Sequence, residues 1–304
     1  MERLKRKLRI TGKEIVKYRK CYLFMAPFAI FFFTFVILPV FIAIFFSFTH
    51  FNALEPPTFV GMDNYIRLFL SDNVFLIAFR NTLTIAIITG PIGYLLCLIV
   101  AWMINELPPK IRAFVTLCFY APAISGVFTI FAILFSGDPH GFVNSTLLRL
   151  GLIDEPIWFL FDEAYIMPLV IGVIIWMSLG TSFLAFIAGL QGVDRGLYEA
   201  GAIDGVGNRW QELWHLTLPS IKGQMLFAAV MSITASFTVG GVITGLFGGA
   251  ATVNYAAWTM QQHIEDYGGV RFDLGYASAI ATVLFILMFG CNQMIQKLLR
   301  KVGT

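Results

Sequence analysis

The side chains of this chain that could make clustered charged contacts are concentrated in one segment, Tyr198–Ser220. It reads YEAGAIDGVGNRWQELWHLTLPS and lies between long apolar runs that carry no charged residue. Its carboxylates, arginine and tryptophans suit charge pairing and aromatic burial at a contact surface. The chemistry indicated is therefore recognition of a partner protein or of the lipid interface, where tryptophan is also common. Composition alone leaves both possibilities open.

A first short helix is expected to position the beginning of this segment. Asp194 has the residue type and place of an N-cap for a helix over 197–203. Gly205 and Gly207 are expected to end that helix, because glycine adopts backbone angles that other residues resist.

A second helix is expected to follow the glycines. Asn208 and Gln211 have the spacing of a capping box at its start. Pro219 is expected to begin the next apolar run. Spacing of three and four residues predicts an apolar stripe on the second helix, formed by Trp210, Leu213 and Trp214.

The composition predicts an α-helical membrane protein. Of 304 residues, 58% are hydrophobic and 13% are charged, and the mean hydropathy is +0.78. Lipid accepts helices or closed barrels, and the apolar runs are long enough for helices that cross a bilayer. Six transmembrane helices are predicted, over Tyr22–Ser47, Asn81–Ile104, Ala113–Ser136, Ala164–Leu190, Gly223–Phe247 and Gly275–Ile295.

Basic residues are concentrated on one side of these predicted spans. They occupy 1–21, the turn Asn105–Arg112, the region of Tyr198–Ser220 and the C-terminal tail. Since basic residues favour the cytoplasmic side, both termini and Tyr198–Ser220 are predicted to be cytoplasmic. The net charge of +3 is then a topology signal, and no nucleic-acid partner is expected. The opposite side holds Arg67, Arg80, Arg149 and Arg271.

Motifs for bond-making chemistry are missing from the sequence. It contains no H-E-x-x-H, G-x-S-x-G or phosphate-binding G-x-x-x-x-G-K-[ST] pattern. No catalytic residue and no metal site are therefore predicted, and the chain is not expected to be an enzyme.

The segment Tyr198–Ser220 resembles the signature cytoplasmic loop of permeases of binding-protein-dependent ABC importers. The family pattern is Glu-Ala-Ala, three residues, Gly, a spacer, then an apolar residue, any residue and Leu-Pro. Glu199-Ala200-Gly201, Asp204-Gly205 and Leu216–Pro219 match it, with Gly201 in place of the second Ala. The spacer over 206–215 is one residue longer than usual, and the extra residue is expected at the Gly207 turn.

Other segments resemble the carbohydrate branch of this family, in the subunit related to the larger maltose-importer permease. They are Phe59–Tyr65 (FVGMDNY), Asn81–Leu83 and Gly275–Ala279 (GYASA). The resemblance extends from about residue 22 to the C-terminus. It implies a type I importer permease fold, with a basic cytoplasmic segment over 1–21, a transmembrane permease domain over 22–304 and a coupling loop at about 191–222.

The resemblance also implies a function. The chain would be a multi-pass permease subunit in a bacterial cell membrane, paired with a second, different permease. Two ATPase subunits would use ATP and Mg, so that this chain binds no cofactor itself, and an extracytoplasmic binding protein would deliver a sugar, expected to be an oligosaccharide. Membrane lipid would surround the spans. The residues expected to couple to the ATPase are Glu199, Ala200, Gly201, Asp204, Gly205, Trp210, Leu213 and Trp214.

A substrate path is expected near the middle of the membrane. Matching the maltose permease backward from Glu199 and forward from Pro219 gives the residues expected to face the sugar. Small hydroxyls and apolar side chains stand here in place of most of that permease's amides, which suggests a different ligand or a site shared with the partner permease. The expected path residues are Trp176, Met177, Ser178, Thr181, Ser232 and Ser236.

Two alternatives remain. A permease for glycerol-phosphate esters would belong to the same family, with Arg80 as the candidate cation in this chain. A self-contained secondary carrier is a different class of protein, although such carriers usually hold ionisable residues in their spans, and these spans hold no Asp, Glu, Lys or Arg.

Overall fold

A computed structural model describes residues 17–126 and 128–299 of the chain. Most of the predicted cytoplasmic basic segment, residues 1–16, lies outside the described residues, and so does the end of the C-terminal tail. The fold is helical apart from one ladder of two short strands, β1 (Thr49–His50) and β2 (Thr58–Phe59), which pair antiparallel.

Within the described residues, four helical stretches are long and apolar enough to cross a membrane. The number rises to six if two bent pairs, 109–123 with 128–134 and 209–220 with 222–237, are each counted as one span. The first is α1 (Arg19–Phe46), which contains a π-helical turn at Phe33–Ile37. The next is α3 (Asn73–Asn105), and the last is α14 (Leu274–Leu299). Between them, Glu163–Gln191 is divided into α7 (Glu163–Trp176) and α8 (Thr181–Gln191).

The predicted third and fifth spans are broken, not continuous. The third forms α4 (Pro109–Ser125) and α5 (Phe128–Leu134), which meet at an angle of 81° beside left-handed Gly126. The fifth forms α11 (Lys222–Phe237) and α12 (Gly240–Phe247). The hydropathy of these two runs is uniform along their length, so it did not predict the breaks.

Short elements on the predicted outer side form a cap. They are α2 (Asp63–Leu70), α6 (Phe142–Arg149), a 3-10 turn at Val253–Tyr255, and α13 (Met260–Glu265), which continues into a π-helical turn at Asp266–Val270.

The family-like motifs build this cap. The Asn64 amide donates to the carbonyls of Ser47 and Thr49, both at 2.9 Å. The Asn81 amide donates to the carbonyls of Tyr255 and Trp258 at 2.9 and 3.0 Å. These polar motif residues hold the outer connections onto α3 and the end of α1.

The core is arranged around α3, which packs against α8, α11 and α7. Pro91 lies inside α3, and because proline has no N–H, it cannot donate the usual helical bond at that point. The preceding carbonyl, that of Gly90, accepts a hydrogen bond of 3.1 Å from the Ser232 hydroxyl on α11. The middle of α3 is thereby joined to the fifth run.

Candidate functional site

The coupling loop consists of two helices joined by a glycine turn. They are α9 (Arg195–Ile203) and α10 (Arg209–Ser220), the latter containing a π-helical turn at Leu213–Thr217. The Tyr198 hydroxyl lies 3.0 Å from the Thr217 hydroxyl and links the two helices. The helix–turn–helix predicted for this segment is therefore present.

Both predicted caps are formed. The Asp194 carboxylate accepts the Gly196 N–H at 3.1 Å, and the Asn208 side chain accepts the Gln211 N–H at 2.9 Å. The return bond of the second cap is shifted by one residue, because the Gln211 side chain accepts the N–H of Gly207 at 3.0 Å.

Gly205 ends α9 with a left-handed backbone, at a φ of 93°. The N–H of Val206 bonds to the carbonyl of Gly201 and the N–H of Gly205 to that of Ala202. This pair of bonds is a Schellman motif, in which glycine is favoured at the left-handed position. The predicted role of Gly205 as a turn residue thus has a specific geometric cause.

The second helix differs from the prediction at two places. Its π-helical turn holds one residue more than an α-helical turn, and this offers a place for the extra spacer residue different from the Gly207 turn predicted for it. Pro219 does not begin the fifth run: it lies in the last turn of α10, and α11 begins at Lys222 after a bend of 83°.

The predicted coupling residues fall into an exposed and a buried group. Trp210 and Trp214 are each 61% exposed, so both are open to a partner. Leu213 is 6% exposed and packs in this chain's own core, which corrects its prediction as an anchor in a partner. Gly201 is also buried, whereas the remaining members are exposed, namely Glu199, Ala200, Asp204 and Gly205.

Gly201 is buried because the second helix packs directly on it. A Cβ atom at this position would lie 2.5 Å from Leu216 Cδ1. The departure from the family's alanine therefore matches a close approach between α9 and α10.

The coupling loop contacts the predicted cytoplasmic end of α3 through an ion pair with Glu106 and an aromatic contact with Trp102. Arg209 Nη2 lies 3.0 Å from Glu106 Oε2, and Arg209 Nη1 lies 2.7 Å from Glu212 Oε2. The hydrogen bond to Glu212, followed by the charge of Glu106, raises the pKa of Arg209 above its usual value. The ring centroids of Trp102 and Trp210 are 5.2 Å apart. Trp102 and Glu106 carry no motif in the sequence, and nothing in their spacing shows which loop they contact.

A cavity of about 300 Å³ lies where the broken spans meet. It is bounded by α3, the break between α7 and α8, and the break between α11 and α12. Five of the six predicted path residues line it, namely Met177, Ser178, Thr181, Ser232 and Ser236. Thr89, Ser182 and Thr238 add three hydroxyls that sequence reasoning missed.

Trp176, the sixth predicted path residue, is not among the lining of this cavity. Its side chain is 64% exposed and lines a neighbouring cavity of about 460 Å³, whose wall is largely aromatic. Trp176 and Ser178 lie two positions apart, which places their side chains on nearly opposite sides of a helix, and they line different cavities. The structure therefore does not bring Trp176 together with the other five.

The outer cap holds a buried polar group centred on Asp72 and His263. His263 Nε2 lies 3.0 Å from Asp72 Oδ2, which also accepts the Tyr276 hydroxyl at 2.7 Å. Trp258 Nε1 donates to His263 Nδ1 at 3.2 Å. Since the indole N–H can only donate, Nδ1 carries no proton and Nε2–H donates to Asp72.

The pKa values of this pair favour a neutral imidazole beside a carboxylate. Burial lowers the pKa of His263 below its usual value and outweighs the opposing hydrogen bond and charge of Asp72. Burial by itself would raise the pKa of Asp72, but hydrogen bonds from the Phe75 N–H, Tyr276 and His263 together lower it.

Comparisons with known proteins agree with this architecture. The family model described as "Binding-protein-dependent transport system inner membrane component" matches residues 93–301. The chain is 32% identical to the lactose transport system permease protein LacF of Rhizobium radiobacter, over 76% of this chain and 77% of that protein. It is also 32% identical to the sn-glycerol-3-phosphate transport system permease protein UgpA of Yersinia pestis, with the same shares covered.

A solved structure shows the same fold. It is a bacterial ABC transporter involved in the import of the acidic polysaccharide alginate, with a TM-score of 0.73 and 26% identity over 97% of this chain and 99% of that chain. A second structure shows the bacterial alginate ABC transporter in complex with an alginate pentasaccharide-bound periplasmic protein.

Proposed function

This chain belongs to the family of inner membrane components of binding-protein-dependent transport systems, and it is a permease subunit of an ABC importer; we propose that its cargo is a saccharide. The observation that carries the proposal is the cavity between the broken spans, whose polar side chains are all hydroxyls. Hydroxyl groups suit the hydrogen-bonding surface of a sugar, and interrupted helices commonly surround substrates in membrane transporters. The lactose permease relative supports the same class of cargo.

The complete importer would contain this chain, a second permease, two ATPase subunits and an extracytoplasmic binding protein. The solved alginate transporter bound to its periplasmic protein supports the last of these partners. The ATPase subunits would use ATP and Mg, and this chain would bind no cofactor. Both termini would lie in the cytoplasm, with 1–21 as a basic segment ahead of the permease domain over 22–304.

The ATPase would bind the exposed side of the coupling loop. The Glu199 side chain is exposed and makes no hydrogen bond or ion pair within the described part of the chain, so its carboxylate is free to pair with a basic residue of the ATPase. Trp210 and Trp214 add exposed aromatic surface beside it. Gly201 and Leu213 would act from inside, by holding the two helices together.

The sugar would be bound by the five path residues that share the cavity, with Thr89, Ser182 and Thr238 beside them. Trp176 would contact a ligand only if the substrate also occupied the adjoining aromatic cavity.

Gentle purification of the tagged chain from its native membrane tests the proposal. Mass spectrometry of the recovered complex is expected to identify a second permease, an ATPase with a phosphate-binding loop, and a binding protein that can be screened with saccharides. A folded chain recovered alone, under mild detergent and crosslinking, would contradict the proposed assembly and favour a self-contained carrier.

A glycerol-phosphate ester is the second candidate cargo. The permease relative UgpA favours it, at the same identity and coverage as the lactose permease. The two candidate cargoes differ in charge, so the electrostatics of the cavity wall can distinguish between them.

A further inference from the structure

We infer that the cavity between the broken spans selects neutral, hydroxyl-rich saccharides and excludes acidic saccharides and phosphate esters. The inference rests on the proposed function and assigns its substrate class. It separates this chain from two of the proteins that it is similar to, since alginate is described as acidic and glycerol 3-phosphate is an anion.

The first support is the state of the cavity hydroxyls. Each serine or threonine hydroxyl has one proton to donate and two lone pairs to accept with. Six of the seven hydroxyls that line the cavity already donate to a main-chain carbonyl, at 2.7 to 3.1 Å. They are Thr89, Ser178, Ser182, Ser232, Ser236 and Thr238.

With those protons committed, the six hydroxyls offer acceptor lone pairs to a ligand. A sugar hydroxyl can donate to such a wall. A carboxylate or phosphate oxygen is an acceptor only. It could therefore accept a hydrogen bond from these six hydroxyls only if they broke their hydrogen bonds to the main-chain carbonyls. In the described part of the chain, Thr181 is the one cavity hydroxyl for which no hydrogen bond is recorded.

The second support is the charge of the wall. Every described side chain that lines the cavity is uncharged, and the basic residues of the surrounding helices, such as Arg80 of α3, lie outside that lining. An anion moved from water into such a site loses its hydration without gaining a counter-ion, which is strongly unfavourable. A neutral saccharide carries no such penalty.

Besides the Thr181 hydroxyl, the donors that the cavity holds are main-chain groups. α8 begins at Thr181 without a side-chain cap, and the first N–H groups of a helix lack partners inside it. These amides can donate to ring or hydroxyl oxygens of a sugar. They would also attract an anion, but one helix N-terminus offsets only a small part of the cost of burying a charge without a counter-ion. The cavity therefore offers donors at one end and acceptors around the rest, which matches a ligand whose groups both donate and accept.

Cysteine protection tests this inference on the complete importer in lipid nanodiscs. Thr181→Cys places a thiol at the one hydroxyl position without a recorded partner, and a small neutral thiosulfonate modifies it at a rate followed by mass spectrometry of that position. The probes are neutral di- and trisaccharides of glucose, galactose and arabinose, uronate oligomers of the same lengths, and glycerol 3-phosphate. At least one neutral saccharide is expected to slow modification by about tenfold, with no comparable effect of any anion.

Gly172→Cys is the matched control. It lies on α7 beside the aromatic cavity, and a Cβ atom there meets nothing within 4 Å. Neutral saccharides should leave its modification rate unchanged, which shows that protection is local to the first cavity.

Anionic and cationic thiosulfonates of equal size give a second readout that does not depend on knowing the substrate. Relative to their rates with a free thiol, the anionic reagent is expected to modify Thr181→Cys no faster than the cationic one. Protection by an anion equal to that by the best neutral saccharide, no protection by any neutral saccharide, or a preference for the anionic reagent would overturn the inference. These outcomes are obtained with the assembled importer in hand, so they differ from failure of the proposed function, in which no ATPase is recovered.

Discussion

Arg209 of the coupling loop forms an ion pair with Glu106 at the end of α3, with Nη2 and Oε2 3.0 Å apart. The two side chains are 63% and 44% exposed, and exposed pairs typically contribute about 0.2–1 kcal/mol to stability. The ion pair therefore contributes little to the stability of the fold. Its position is more informative, because it joins the loop expected to meet the ATPase to a helix that lines the cavity.

Removal of this link should impair coupling without unfolding the protein. Glu106→Gln is expected to lower sugar uptake several-fold, with unchanged amounts of importer in the membrane and unchanged basal ATP hydrolysis. The measurement is uptake per ATP hydrolysed in proteoliposomes. Glu212→Gln is the control, since it removes the other partner of Arg209 and leaves the contact to α3. Equal ratios for wild type and Glu106→Gln would show that the pair plays no part in coupling.

Gly205→Asp should abolish uptake while the chain remains in the membrane. The substitution puts a side chain on a backbone with a φ of 93°, which costs about 1–2 kcal/mol and disturbs the Schellman turn between α9 and α10. Uptake and the amount of ATPase recovered with the tagged chain are the measurements. Gly207→Asp is the control. It adds the same charge at a position where the φ is not positive and where a Cβ atom meets nothing within 4 Å. Normal uptake by Gly205→Asp would contradict the assignment of this loop.

Gly201→Ala should destabilise the loop although it restores the family's usual residue. Alanine gains about 1 kcal/mol in helix propensity, but its Cβ would lie 2.5 Å from Leu216 Cδ1 unless that side chain turns away from its packed position, and overpacking costs about 1–3 kcal/mol. The midpoint of thermal unfolding of the purified importer should fall. Leu216→Val in the same chain should recover part of the loss, whereas additive effects of the two changes would exclude this steric explanation.

Acid should destabilise the outer cap. The pKa of His263 is lowered in the folded state, so its contribution to stability is present above the ordinary histidine value of about 6.5 and is lost as the pH falls below it. Protonation would also place an Nδ1–H against the indole N–H of Trp258. Asp266 raises and Arg271 lowers the pKa of this histidine as further charged neighbours.

Protonation of Asp72 also destabilises the outer cap, but at a lower pH. Its pKa is lowered in the folded state, so its contribution is lost only as the pH falls below about 3.9. Thermal unfolding between about pH 7.5 and 5 should therefore follow His263, and His263→Gln should flatten the profile. An unchanged slope in that variant would assign the acid sensitivity to other groups.

The features that depend on local sequence could be predicted. The N-caps at Asp194 and Asn208 and the turn at Gly205 follow from residue type and short spacing, and the structure confirms them. The runs that form α3 and α14 were predicted from length and hydropathy, although α3 begins eight residues before Asn81, at Asn73.

What depends on tertiary contacts could not be predicted. Leu213 and Trp214 look equivalent on an apolar stripe, yet one packs in the core and the other is exposed. Trp176 and Ser178 are two residues apart and so point to nearly opposite sides of a helix, but only the packing of the helices shows which of the two faces the cavity of the other path residues. Glu106 carries no motif, and only the folded chain shows that Arg209 reaches it.

The hydrogen bond missing at Pro91 divides α3 into two arms, and we expect the helix to bend most easily at this point, beside Thr89 in the cavity wall. One arm ends at Trp102 and Glu106 against the coupling loop, and the other begins at Asp72 under the outer cap. At 1.5 Å per residue, the 33 residues of α3 span about 50 Å, more than the thickness of the hydrocarbon core. A swing of the arm that contacts the coupling loop would therefore move the cavity wall first, and suppressors of defects at Glu106 are expected to cluster around Gly90, Pro91 and Ser232.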